Sequence, residues 1–258
     1  MQKEVSSYNY DTYVFNSKTI AVIGVDGSGK STCFRLLFDS IKYKNTAAIG
    51  DEVMAKKNDE LFKINLWQSR LKLFLGPRIK KLKNRKLYRI FKFLELVLRA
   101  KLLYKIDSKY APELILTDGS PLINILGWGH YYCPEIYSKE LLIEVIGYMT
   151  GNKIPKHRKA FFKKHSHEVL LINRLRIKFH IPDEVFFLKV SPDVAIKRIS
   201  HRNEDLQPHE TRDFLNNLQE SYAMVCQLLK ENKIHYVDTD NRTPETIIGE
   251  MVTILKRE

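Results

Sequence analysis

The sequence predicts an α/β fold: a five-stranded parallel β-sheet flanked by helices, with a helical insertion and a lid. Three observations predict it. Short runs rich in β-branched residues, led by Thr19-Ile20-Ala21-Val22-Ile23, alternate with segments whose apolar residues recur at helical spacing. That alternation builds a parallel sheet. The stretch Gly24-Val25-Asp26-Gly27-Ser28-Gly29-Lys30-Ser31 reads G-x-x-x-x-G-K-[ST] between a predicted strand and a predicted helix, which is the context a P-loop requires. Two later helices open on a cap followed by proline, Ser191-Pro192 and Thr243-Pro244, each just after a predicted strand.

Length and composition set the frame. A chain of 258 residues with 44% hydrophobic content reads as one domain over residues 1–258. No run of eighteen apolar residues spans a membrane, and the opening Met-Gln-Lys-Glu-Val-Ser-Ser-Tyr has no apolar signal core. Cys33, Cys133 and Cys226 are scattered and lack metal-type spacing. The expectation is a reduced, cytoplasmic protein without structural zinc. The net charge of +13 is uneven. Residues 60–106 carry fourteen Lys/Arg and two acids, residues 151–180 carry nine Lys/Arg and Glu168 alone, and the remainder is acidic, near −7. Such blocks have three readings: a solvated helix face, a peripheral contact with an anionic membrane, or a contact with nucleic acid or an anionic acceptor. The sequence leaves a homodimer open.

The elements follow in order. Residues 1–18 form a polar, tyrosine-rich arm, residues 19–24 the first strand, and residues 30–43 the P-loop helix. A second strand covers Asn45–Ile49. Asp59 is read as the cap of a helix carrying Leu61, Phe62, Ile64, Leu66, Leu71 and Leu75, broken at Gly76-Pro77. The next helix covers residues 78–106, so that residues 59–106 form a basic helical segment. Residues 114–117 are the third strand, ending in the turn Asp118-Gly119-Ser120-Pro121. Residues 122–180 are an insertion of two or three helices, with Gly151 and Pro155 as breaks. Residues 184–190 and 234–237 are the last strands, residues 198–212 the lid region, and residues 211–230 and those after Pro244 the last helices.

The loop chemistry points to ATP and Mg²⁺. Its glycines let the backbone wrap phosphate oxygens, and its amides with the helix start form an anion cradle. Asp26, Gly27, Ser28, Gly29, Lys30, Ser31 and Thr32 make up this nucleotide-binding set, with Lys30 aimed at the β- and γ-phosphates and Ser31 at Mg²⁺. In a parallel sheet, ligands sit at the carboxyl ends of strands. Asp118 and the Val237-Asp238-Thr239-Asp240 turn fall there, which adds Thr239 to the nucleotide side. Asp118 is read as a carboxylate that reaches Mg²⁺ or takes the acceptor's proton; the alternative is a cap for the turn before Pro121. Arg198 and Arg202 lie four apart on one helical face, as lid arginines that close on the transferred phosphoryl group or as a solvated helix end. His157, His165 and His167 are mixed with lysines and read as basic surface.

Beyond the loop, Pro182-Asp183 followed by an apolar strand and Ser191-Pro192 is similar to a segment of the thymidylate kinases. Lys197-Arg198 to Arg202, then Glu210 and Phe214 to Tyr222, resembles their lid and following helix. The acidic residue in the loop and the Val-Asp-Thr turn agree. The resemblance covers residues 18–50, 90–122 and 180–258. It implies the P-loop NTPase fold and ATP-dependent transfer to a nucleoside monophosphate such as thymidine monophosphate. It further implies Asp26 as a sugar-contacting acid and Arg99, with Asp26 and Asp118, on the acceptor side. The family's Asp-Arg after the third strand is here Asp118-Gly119-Ser120, and the Arg that would hold the acceptor's phosphate is absent. Other acceptors follow from that departure: a sugar, a lipid-linked glycan or a nucleic-acid end. A nucleotide-binding module without catalysis is the rival reading.

Overall fold

The fold is built on a seven-stranded sheet of order β4-β3-β2-β5-β1-β6-β7. The computed structural model describes residues 14–58, 60–67, 71, 85–132, 137–154, 156–201, 210–229 and 233–256. Its strands are β1 (Lys18–Ile23), β2 (Asn45–Ile49), β3 (Val53–Lys57), β4 (Glu60–Lys63), β5 (Leu114–Asp118), β6 (Glu184–Lys189) and β7 (Lys233–Asp238). Five of them, β2-β5-β1-β6-β7, run parallel as expected. The sheet is covered on both faces. Ala21 and Ile23 of β1 face one cluster, while Ile20 and Val22 face the other. This is why β1 reads as an unbroken apolar run rather than an alternating one.

Two strands were not foreseen. β3 pairs antiparallel with β2, and β4 with β3, in the register Met54↔Lys63 and Lys57↔Glu60. That register leaves a two-residue hairpin connection, and Asn58 takes a left-handed φ of 50° in it. The helix expected to carry Leu61 and Phe62 is therefore corrected to a strand. Cross-strand pairing with β3, and an ion pair between Lys63 and Glu52, hold it extended. Asp59 lies outside the described residues.

Nine α-helices are described: α1 (Lys30–Ser40), α2 (Arg85–Tyr110), α3 (Pro121–Tyr132), α4 (Lys139–Thr150), α5 (Lys159–Lys164), α6 (Ser166–Leu175), α7 (Pro192–Ser200), α8 (Arg212–Leu228) and α9 (Pro244–Lys256). The insertion over 122–180 thus holds four helices rather than two or three. The Ser138 hydroxyl caps α4 by accepting from the Leu141 amide at 3.3 Å, and Gly151, at φ 124°, ends it. α1 and α9 cover one face of the sheet; α3, α4 and α8 cover the other. Gly127 lets α3 approach α8 closely, since a Cβ there would meet the Tyr222 ring at 2.2 Å.

The end of the sheet away from the P-loop is tied by buried polar groups. The Thr19 hydroxyl donates to Asp183 Oδ2 at 2.7 Å and accepts from the Asp183 amide at 3.0 Å. His180 Nε2 lies 2.7 Å from the same hydroxyl, and Phe15 stacks on the imidazole at 3.7 Å. Asp107, fully buried, accepts from the amides of Asn16 and Ser17. Burial lowers the His180 pKa from 6.5 to about 4, against the smaller opposing pull of Asp183 and Asp107. The folded state therefore holds this imidazole neutral while the unfolded chain takes up a proton. Stability contributed here is complete above pH 6.5 and is lost as pH falls toward about 4. The loss amounts to about 3 kcal/mol at most. Urea midpoints measured across that range should fall with acidification. A His180→Gln variant should show a flatter profile, and an equally steep one would remove His180 as the cause.

Candidate active site

The P-loop sits at the carboxyl end of β1. Its shape is set by what packs behind it: Gly27, at φ 79°, lies against α7, where a Cβ would meet the Ala195 carbonyl oxygen at 2.5 Å. Gly29, also left-handed at φ 84°, directly precedes α1 and turns the chain into it. Lys30 and Ser31 therefore occupy the first turn of a helix whose free amides point into the loop. The Lys30 ammonium stands 3.8 Å from Asp26. Ser28 is fully buried, and its hydroxyl has no hydrogen-bond partner in the protein. Thr32 follows Ser31 on the same helix and is half-buried.

Asp118, the last residue of β5, lies on the neighbouring strand. The Ser31 hydroxyl donates to its Oδ2 at 3.3 Å, and its Oδ1 is buried without a hydrogen-bond partner among the described residues. The Gly119 amide donates to the Val22 carbonyl at 2.8 Å and fixes the strand end beside the loop. A hard cation needs oxygen donors of this kind. The Ser31 hydroxyl and the Asp118 carboxylate suit Mg²⁺, and the unsatisfied Oδ1 is the observation that favours it.

Arg198 does not reach into open solvent. From α7 it donates to the Gly27 carbonyl at 3.3 Å, to the Thr239 hydroxyl at 3.2 Å and to the Thr239 carbonyl at 2.6 Å. It braces the P-loop against the turn after β7. Thr239 is fully buried, and its hydroxyl donates to the Lys189 carbonyl at 3.0 Å. The turn is held in turn by Asp240, whose carboxylate accepts from the Ser191 amide at 3.0 Å. Arg202 and most of the lid region over 198–212 lie outside the described residues.

The other side of the site is formed by α2. Arg99 donates to the Asp118 carbonyl, so the resemblance-derived residue does stand beside the strand end. Three residues the sequence reading missed share its helix face: Tyr88, Lys92 and Glu95, spaced four, three and four apart up to Arg99. Lys92 pairs with the buried Glu95 at 2.9 Å. Burial raises the Tyr88 phenol above its ordinary range, and Tyr132, Glu95 and Asp26 push it the same way. Trp128 donates to the Tyr222 hydroxyl at 3.0 Å and lies edge-on to Phe214. Arg99 thus joins α2 to the end of β5, while Trp128, Tyr222 and Phe214 pack α3 against α8.

A thymidylate kinase family model matches residues 161–247, from the end of the insertion into α9. A thymidylate kinase of Leptospira interrogans is 33% identical over 60 residues, 23% of this chain and 29% of that protein. The structure of deoxyadenosine kinase from M. mycoides, with products dcmp and dcdp bound, superposes with a TM-score of 0.55 at 18% identity, covering 93% of this chain and 100% of that one. Thymidylate kinase from Candida albicans gives a TM-score of 0.56 at 13% identity, covering 95% and 93%. The chain is thymidylate-kinase-like. The family-model match takes in β6 and β7 and stops short of the loop, and the likeness to the solved structures concerns the fold. The chain spans less than half the length of the curated relatives it matches.

Proposed function

We propose that this protein is a phosphotransferase that moves the γ-phosphoryl group of ATP to an acceptor held against α2, with Mg²⁺ as cofactor. The observation that carries the reading is the Ser31–Asp118 contact beside Lys30, with Asp118 Oδ1 left unsatisfied. Bound Mg²⁺ would supply charge neutralisation on the phosphate oxygens. Lys30 and the loop amides hold the phosphates through fixed positive charge, which phosphoryl transfer needs more than covalent help. The acceptor hydroxyl or phosphate oxygen forms its bond to phosphorus, the bond to the β-phosphate oxygen breaks, and ADP leaves. Where the acceptor is a hydroxyl, Asp118 takes the proton. Arg198 positions the loop and the Thr239 turn. Arg202 is proposed to supply the lid cation.

By resemblance the acceptor is a deoxynucleoside monophosphate such as thymidine monophosphate, with Asp26 on its sugar and Arg99 nearby. A specific observation favours a second reading, an acceptor without a phosphate. Arg99 is engaged by the Asp118 carbonyl, the arginine expected after Asp118 is absent, and Lys92 is taken up by Glu95. The cations that would meet an acceptor's phosphate are thus already paired, while a carboxylate such as Asp118 can accept from a hydroxyl. ATP consumption with thymidine monophosphate, thymidine, deoxyadenosine and a set of sugars separates the two. The thymidine monophosphate rate is expected to be low unless Arg99 or another base meets its phosphate. Fast turnover of that monophosphate by an Arg99→Ala variant would overturn this expectation. ATP binding without transfer to any acceptor would leave the non-catalytic module.

A further inference from the structure

The basic blocks divide once their side chains are traced. In the described part of α2, Arg89 pairs with Glu168 at 3.3 Å, Lys92 with Glu95, and Arg99 with the Asp118 carbonyl. These cations serve the protein itself. Lys80, Lys81 and Lys83 lie outside the described residues. The second block behaves differently. α5 and α6 follow one another with only His165 between them. Phe162 and Ile172 are buried in the core on their inner faces. Their outer faces expose Lys159, Lys163 and Lys164 on α5, and His167, Leu170 and Arg174 on α6. The acids nearby are turned away: Glu168 to Arg89, and Glu144 to Arg158 at 2.6 Å and His157 at 2.9 Å. Lys159, Lys163, Lys164 and Arg174 have no acidic partner among the described residues.

Leu170 stands between His167 and Arg174 on this face and is 59% exposed. Single exposed aliphatics are ordinary. This one sits on a cationic surface that has no exposed acid on its two helices. We propose that the outer face of α5 and α6 seats this protein on an anionic lipid bilayer, with the four cations at headgroup phosphates and Leu170 at the acyl boundary. The charge selects an anionic partner, and the exposed leucine selects lipid. A nucleic-acid backbone would leave Leu170 in water, and single-strand binding would call for aromatic platforms in its place. The Arg89–Glu168 pair links α6 to α2, the helix that carries Arg99.

The test is cosedimentation of the full chain with phosphatidylcholine vesicles, with and without phosphatidylserine, at low and high salt, beside a mobility assay on an oligonucleotide. The expected result is association with the anionic vesicles alone, weakened by salt. The triple variant Lys163→Glu, Lys164→Glu, Arg174→Glu should lose about 100-fold or more in vesicle affinity. Leu170→Ser should weaken vesicle binding and leave any oligonucleotide binding unchanged. Melting temperature and ATP binding serve as controls, because all four positions are exposed and remote from the P-loop. Vesicle binding retained by the triple variant would move the contact to another basic segment and overturn the proposal. Oligonucleotide binding without vesicle binding, or binding to neither, would overturn it as well. None of these outcomes depends on phosphoryl transfer, so the surface and the catalytic reading fail separately.

Discussion

Replacing Lys30 with alanine is expected to reduce phosphoryl transfer at least about 100-fold while leaving the fold intact. The Lys30 side chain is only 24% exposed, yet its protein contact is a 3.8 Å approach to Asp26 at the loop surface. No core packing is lost with it, so circular dichroism and melting should match the parent protein. What disappears is a fixed charge aimed at the phosphates. The measurement is acceptor-dependent ATP consumption, using whichever acceptor the panel identifies. Near-normal transfer by the variant would refute the kinase reading.

Asp118→Asn is expected to separate stability from activity. Asparagine keeps the shape and can still accept from Ser31, but it removes the carboxylate charge where Oδ1 has no hydrogen-bond partner among the described residues. Transfer should fall about 100-fold or more, because the substitution removes a charged oxygen donor for Mg²⁺ and a proton acceptor. The protein without nucleotide should keep its stability or gain about 1 kcal/mol, since the substitution removes a partly buried carboxylate charge. The rise in melting temperature on adding ATP with Mg²⁺ should shrink. A variant destabilised in the absence of nucleotide, with activity reduced only in proportion, would make Asp118 a turn cap and nothing more.

The loop was legible because eight consecutive residues carry it, with a strand before and a helix after. Asp118 was legible because strand ends converge in a parallel sheet. The β3–β4 hairpin was hidden by its own composition. Leu61, Phe62, Ile64 and Leu66 satisfy helical spacing, while the turn that makes Leu61 and Phe62 strand is marked only by Asn58 and Asp59. The stripe of Tyr88, Lys92, Glu95 and Arg99 was visible in the spacing, but its meaning depends on the P-loop and β5 lying opposite. Arg198 was read as a lid group from its helix alone. Its bracing role needs the Thr239 carbonyl, which local sequence does not announce.

β1 comes first in the chain among the described strands, yet it is the middle one of the five parallel strands. Its neighbours, β5 and β6, are Leu114–Asp118 and Glu184–Lys189. During synthesis one ladder of β1 must therefore wait for residue 118 and the other for residue 189, and its apolar residues Ile20, Ala21, Val22 and Ile23 are fully covered only after both. That interval exposes a run suited to mispairing or chaperone capture. It also fixes when nucleotide can help. Gly27 is shaped by α7, which follows β6, so the loop acquires its form only after residue 192 is in place. Nucleotide binding thus rewards completion of this fold and cannot guide its early stages.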